Sequence, residues 1–227
     1  MRKNNQYYIR RTHRFLGVFI GIQFLLWTVS GIYFSWTDID EIHGDHFREV
    51  IAPVTFDQPL FSPSELNFDQ GIYSLELRSI AGEPFYWVNE NFLFDAKNGV
   101  IREAITESEA IEIAKMHIVS DIPVREAILI EQVDSHHEIR DRAMPVWQVQ
   151  FDHPENLVAY VDYKNGNFER VRHRSWRWFD ALWMFHTMDY AGRDNFNNWL
   201  LRGFSLFGLA TILSGFTLFF VTQKKRL

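Results

Sequence analysis

The chain has 227 residues, 47% hydrophobic and 23% charged, with a net charge of −6, values that an ordinary soluble protein of one or two domains would share. The averages hide a segregation: residues 37–198 hold all 29 acidic residues against 14 Lys/Arg, a net of −15, between two basic ends. The acidic middle argues against nucleic-acid binding. The absence of cysteine excludes disulfides, thiolate nucleophiles, iron–sulfur clusters, Cys-type zinc sites and covalent haem attachment. Redox chemistry here requires a non-covalent cofactor, for which His and Met are the candidate ligands.

Residues 1–14 form a basic flank containing Arg2, Lys3, Arg10, Arg11 and Arg14. Residues 15–36, Phe15 to Trp36, carry no charge and would make about 33 Å of helix, enough to cross a bilayer. A retained span is favoured over a cleaved signal peptide. The run exceeds an ordinary signal core, and no A-x-A-like cleavage site precedes the acidic stretch from Asp38 to Asp45.

Residues 37–169 read as an α+β domain. Ile72–Leu77, Phe85–Phe94, Ala127–Val133, Val146–Asp152 and Val158–Asp162 are predicted strands, and Ser108–His117 a helix capped by Thr106 or Ser108. Two nearly identical turns, Asp95-Ala-Lys-Asn-Gly99 and Asp162-Tyr-Lys-Asn-Gly166, suggest tight Asn-Gly hairpins and hint at a duplicated unit. In residues 170–198, Phe179, Leu182, Trp183, His186 and Tyr190 share one helical face behind Arg170, Arg172, Arg174 and Arg177. This reads as an interfacial amphipathic helix. Residues 199–221 form a second span, interrupted only by Arg202 near its start, and residues 222–227 a basic tail. The positive-inside rule places both termini in the cytoplasm of an inner membrane and the acidic domain outside it.

The motifs, taken in order, resemble the PepSY-associated transmembrane family. They are Thr12-His13-Arg14 followed by Gly17, the helix 106–119, the turn carried by Val161, Asp162 and Gly166, the stretch from Leu182 to His186, and Leu213-Ser214-Gly215 in the last span. The resemblance covers nearly the whole chain. It implies a membrane protein whose two transmembrane α-helices flank an extracytoplasmic α+β PepSY-like domain. Larger members look like inner-membrane reductases of ferric siderophores, with four or more spans and b-type haems on intramembrane histidines. Other members carry PepSY domains linked to peptidase inhibition. With two spans, this chain either pairs with itself to rebuild a four-helix bundle or has no redox role. One implied function is a haem b electron-transfer protein, or reductase, acting on a ferric chelate or siderophore outside the membrane. The alternative is a non-enzymatic accessory or regulatory subunit of a membrane complex. Implied partners are membrane lipid and either a second copy or other membrane subunits.

Most of the nine histidines read as ordinary. His136-His137 and His153 sit in predicted loops, and His117 ends a helix, where a cation would suit the dipole. His43 and His46 have an H-x-x-H spacing but no third fixed ligand. His13, beside the first span, and His186, on the apolar helix face, are the candidate haem-iron ligands; a hydrogen bond within a helix interface is the equal alternative. Gly17 and Gly21 form a G-x-x-x-G, which packs helices closely, while Gly17, Gly21 and Gly31 would equally leave room beside a porphyrin. Arg14, Arg172, Arg174, Arg193 and Arg202 are candidate propionate or lipid-phosphate partners. No hydrolase signature or nucleotide-binding glycine loop is present, so an electron donor must be another molecule.

Overall fold

The separation of charge along the chain recurs as two units in a computed structural model, which describes residues 5–119 and 121–223. One unit comprises residues 1–38 and 178–227, the other Ile39–Arg177. Arg2, Lys3, Lys224, Lys225 and Arg226 of the basic flanks lie outside the described residues.

The first unit is helical. Helix α1 (Asn5–Trp36) and helix α5 (Trp199–Gln223) contain the candidate spans Tyr7–Trp36 and Trp199–Val221, the first beginning ahead of the uncharged run that opens at Phe15. Phe15, Val18 and Ile22 of α1 and Leu206 of α5 are each about 70% exposed, a surface suited to lipid rather than water. The span hydroxyls are turned inward on their own helices. Thr28 donates to the Phe24 carbonyl, Thr211 to that of Phe207 and Thr217 to that of Leu213, each at 2.8 Å. The two helices run antiparallel, with the Phe19 and Phe204 rings stacked 5.6 Å apart. Gly208 admits the Phe24 ring, which a Cβ there would meet at 3.0 Å.

Helix α4 (Arg174–Thr187) contains the boundary between the units, and its second half belongs to the helical one. The aromatic face seen in the sequence is turned onto α1. Phe34 lies 4.8 Å from Phe179, 5.9 Å from Trp183 and 5.5 Å from His186 between ring centroids. The loop after α4 is tied down by Asp189, whose carboxylate accepts the Gly192 and Asn195 backbone N–H groups. Asn198 caps α5 by accepting the Leu201 N–H at 2.8 Å.

The second unit opens on the short helix α2 (Ile39–His43) and holds two four-stranded antiparallel meanders. In the first, β1 (Leu75–Ile80), β2 (Glu83–Val88), β3 (Phe92–Asp95) and β4 (Ile101–Arg102) lie side by side in sequence order. The second, in the same order, comprises β5 (Val124–Ile130), β6 (Val146–Phe151), β7 (Val158–Asp162) and β8 (Phe168–Arg172). Helix α3 (Glu107–His117) connects them and shares their core with Phe85, Trp87 and Leu93 from the first sheet and Val149, Phe151 and Val161 from the second. Thr106, not Ser108, is its cap: Thr106 Oγ1 accepts the Glu109 N–H, and Glu109 accepts the Thr106 N–H.

Three expectations change. Phe85–Phe94 is two strands rather than one. The chain turns at Asn89 and Glu90, both at positive φ, and β2 is buried on both faces, so it shows no alternation to mark its ends. Residues 168–172, partly assigned to the helical stretch 170–198, form strand β8, and α4 begins only at Arg174. The repeated turns do occupy the same place, between the third and fourth strands of each sheet, as a duplicated unit would give. They are not two-residue Asn-Gly turns. The Gly99 and Gly166 N–H groups bond back to the Asp95 and Asp162 carbonyls, only the glycines take positive φ, and each Asp side chain accepts the N–H two residues on.

Candidate functional site

His13 and His186 both lie in the helical unit, half-buried, and each ring rests on a serine of another helix. His13 Nδ1 is 2.7 Å from Ser214 Oγ on α5. Gly215 makes that approach possible, since a Cβ there would meet His13 Cε1 at 3.2 Å. His186 Nδ1 is 2.7 Å from Ser30 Oγ on α1. Burial holds the His186 ring below the ordinary histidine pKa of 6.5, so it is neutral at pH 7.

Two further α1 side chains hold the end of α4. Trp27 Nε1 donates to the His186 carbonyl at 2.8 Å and Gln23 Nε2 to the Phe185 carbonyl at 3.2 Å, satisfying acceptors that a helix C-terminus leaves open. No local pattern marks Ser30, Trp27 or Gln23 as site residues, and Ser214 stands out only within the Leu213-Ser214-Gly215 motif. The available signals were Gln23 as an amide inside an apolar run and the Ser-Gly pair present in both spans, Ser30-Gly31 and Ser214-Gly215.

The structure separates the two histidines along α1. His13 and Ser30, the seat of His186, are 17 residues apart in one helix, which is about 25 Å of rise. One chain therefore offers a single imidazole at each of two levels. A Cβ built at Gly17, Gly21 or Gly31 meets no atom within 4 Å among the described residues. The Gly17–Gly21 pair thus does not pack α1 against α5. Gly208 and Gly215 serve that contact, and the α1 glycines leave an open flank.

The arginines divide. Arg14 and Arg202 have exposed side chains. Arg193 pairs with Asp180, Arg174 donates to the Pro154 carbonyl, and Arg172 is buried over the Trp176 ring while donating to the Glu138 carbonyl. Among the described residues no three His, Cys, Asp or Glu side chains form a metal-holding group, and His43 and His46 are exposed.

A family match and the two apolar terminal helices, which flank an α+β region of two antiparallel sheets, together mark a membrane protein. Its family follows from the chain as a whole. The chain belongs to the family described as PepSY-associated TM region, whose model matches residues 1–222. No curated protein and no solved structure matches it.

Proposed function

We propose that this protein is a haem b electron-transfer protein of a bacterial inner membrane, with both termini cytoplasmic and the acidic domain in the periplasm. Its acceptor is a ferric chelate, such as a siderophore, outside the membrane. The observation that carries the proposal is the placement of two half-buried histidines at two levels of one helical unit, beside glycines whose faces are open.

Haem, when bound, supplies a one-electron iron couple. The chain's own residues would hold it in defined roles. His13 would hold the iron at the inner level and His186 at the outer level. Gly17 and Gly21 would leave room beside the inner porphyrin and Gly31 beside the outer one. Arg14 and Arg202, exposed and cationic, would neutralise propionates. Because one chain supplies one imidazole per level, the second ligand comes from a second copy. A two-fold axis along the membrane normal pairs His13 with His13 and His186 with His186 in a four-helix bundle.

The test is the haem content of detergent-purified protein made with ample haem. The wild type is expected to show a reduced-minus-oxidised b-type spectrum, and His13→Ala and His186→Ala each to lose about half the haem. Unchanged haem content in both variants would reject the ligand assignment. A colourless wild type would reject the proposal and leave the non-enzymatic accessory subunit.

A further inference from the structure

The two histidine seats share a detail that goes beyond which residues approach a cofactor. Ser30 Oγ lies 2.7 Å from the Leu26 carbonyl and 3.2 Å from that of Trp27, and Ser214 Oγ lies 2.7 Å from the Thr211 carbonyl. A hydroxyl has one proton to give. With that proton on its own helix backbone, each oxygen faces the imidazole nitrogen 2.7 Å away as an acceptor. The nitrogen must then carry the hydrogen, and the opposite ring nitrogen carries the lone pair.

The reverse arrangement is poorer. Were the serines to donate to Nδ1, each Nε2 would bear the hydrogen, and among the described residues neither Nε2 has an acceptor within hydrogen-bonding distance. His186 is instead flanked by the rings of Phe34 and Trp183, with centroids 5.5 and 6.5 Å away. An N–H without an acceptor is the poorer state, whereas the first arrangement leaves no proton undonated.

We infer that Ser30 and Ser214 are positioning residues that fix His186 and His13 in the Nδ1–H tautomer, so that each ring presents Nε2 as a ligand. What Nε2 is presented to rests on the haem reading above; the tautomer does not. The arrangement is built twice from the same pieces, a Ser-Gly pair in each span, and the histidine comes from a different helix each time. A metal-bound imidazole that donates its other N–H is oriented and made a stronger donor to the metal, and loss of such a partner typically weakens binding 10–100-fold.

The experiment uses the full chain in lipid nanodiscs, prepared without haem, with 15N-labelled histidine. Long-range 15N–1H correlation reports which ring nitrogen is protonated. His13 and His186 are expected as Nδ1–H tautomers, with Ser214→Ala releasing His13 only, Ser30→Ala releasing His186 only, and Ser→Thr at either position retaining the wild-type form. Nε2–H tautomers in the wild type, or Ser→Ala variants that leave the tautomers unchanged, would overturn the inference. A second arm uses haem-loaded protein. Each Ser→Ala change should weaken haem binding at its own level by about 10–100-fold and raise that site's midpoint potential, with Ser→Thr restoring both. Haem bound with affinity and potential indifferent to both serines would overturn the positioning role. Expected tautomers in a protein that takes up no haem would uphold the serine assignment while rejecting the electron-transfer reading.

Discussion

Glu138 shows how one side chain can organise a region. It accepts the Tyr160 hydroxyl at 2.8 Å and both the Nε and an Nη of Arg177, while its backbone carbonyl accepts from Arg172. Tyr160 is fully buried, and burial together with the neighbouring Glu138 pushes its hydroxyl well above the ordinary tyrosine range; burial likewise pushes Arg172 down to about 10. Glu138→Ala strands a buried hydroxyl and half-buried guanidinium hydrogens, and should destabilise by about 2 kcal/mol, read as a lower denaturation midpoint; an unchanged midpoint would show that the network is not needed. His117 and His173 set the pH response. His117 stacks on Phe168 with ring centroids 4.3 Å apart and bonds to the Ile113 carbonyl; His173 is 1% exposed and faces the Ile42 carbonyl. Burial lowers both from the ordinary 6.5, with Arg48 adding to it at His117 and His46 at His173, so the cation that would suit the α3 dipole does not form at neutral pH. Above pH 6.5 these rings are neutral folded or unfolded. As pH falls below 6.5, the unfolded chain takes up protons first and stability is lost. The protein in detergent should melt lower at pH 5.5 than at 7.5, with the drop reduced in His117→Gln; a flat profile would contradict the assignment. Glu169, raised by burial, acts in the opposite sense and offsets part of this loss as pH falls.

Gly99 and Gly82 both sit at positive φ, 71° and 85°, but a Cβ at Gly99 would lie 2.5 Å from the Phe61 ring, whereas one at Gly82 meets nothing within 4 Å. Gly82→Ala should cost only the left-handed strain, about 1–2 kcal/mol. Gly99→Ala should cost clearly more, because Phe61 must move off Ala96 and Tyr86, which its backbone contacts by hydrogen bonds. Equal melting points for the two variants would sink this distinction. In β6, Val149 and Phe151 are buried in the shared core and Trp147 packs beside them. Trp147→Asp removes a large apolar contact and inserts a carboxylate, a loss of about 3–5 kcal/mol. The full chain should then lose the β-sheet part of its circular dichroism melt, and an unchanged melt would count against this packing.

For the whole molecule, the distribution of charge is the leading feature. Every acid lies between Asp38 and Asp194, within and just beyond the sheet-containing unit, while five basic residues precede Phe15 and three follow Val221. The proposed topology follows from that asymmetry. A cysteine introduced at Asn98 should react with an impermeant thiol reagent in intact spheroplasts and one at Gln223 should not; the natural chain has no cysteine to confuse the result. Reversed labelling would overturn the topology.

The sequence by itself determined whatever depends on local pattern. The apolar stretches of the two spans come from uninterrupted hydropathy, the α3 start from Thr106 and Glu109, and the repeated turns from Asp, Asn and Gly at fixed spacing. Strands covered on both faces were less legible, since burial on two sides erases the period of two that marks a strand: β2 and β3 merged into one, and β8 was hidden by its arginines. Only the tertiary structure decided the partners. Ser214 meets His13 across 201 residues, and Ser30 meets His186 across 156. No local periodicity specifies such a pairing, because it depends on how α1, α4 and α5 pack. That packing turns two isolated histidines into two matched seats and leaves the glycine flank of α1 open.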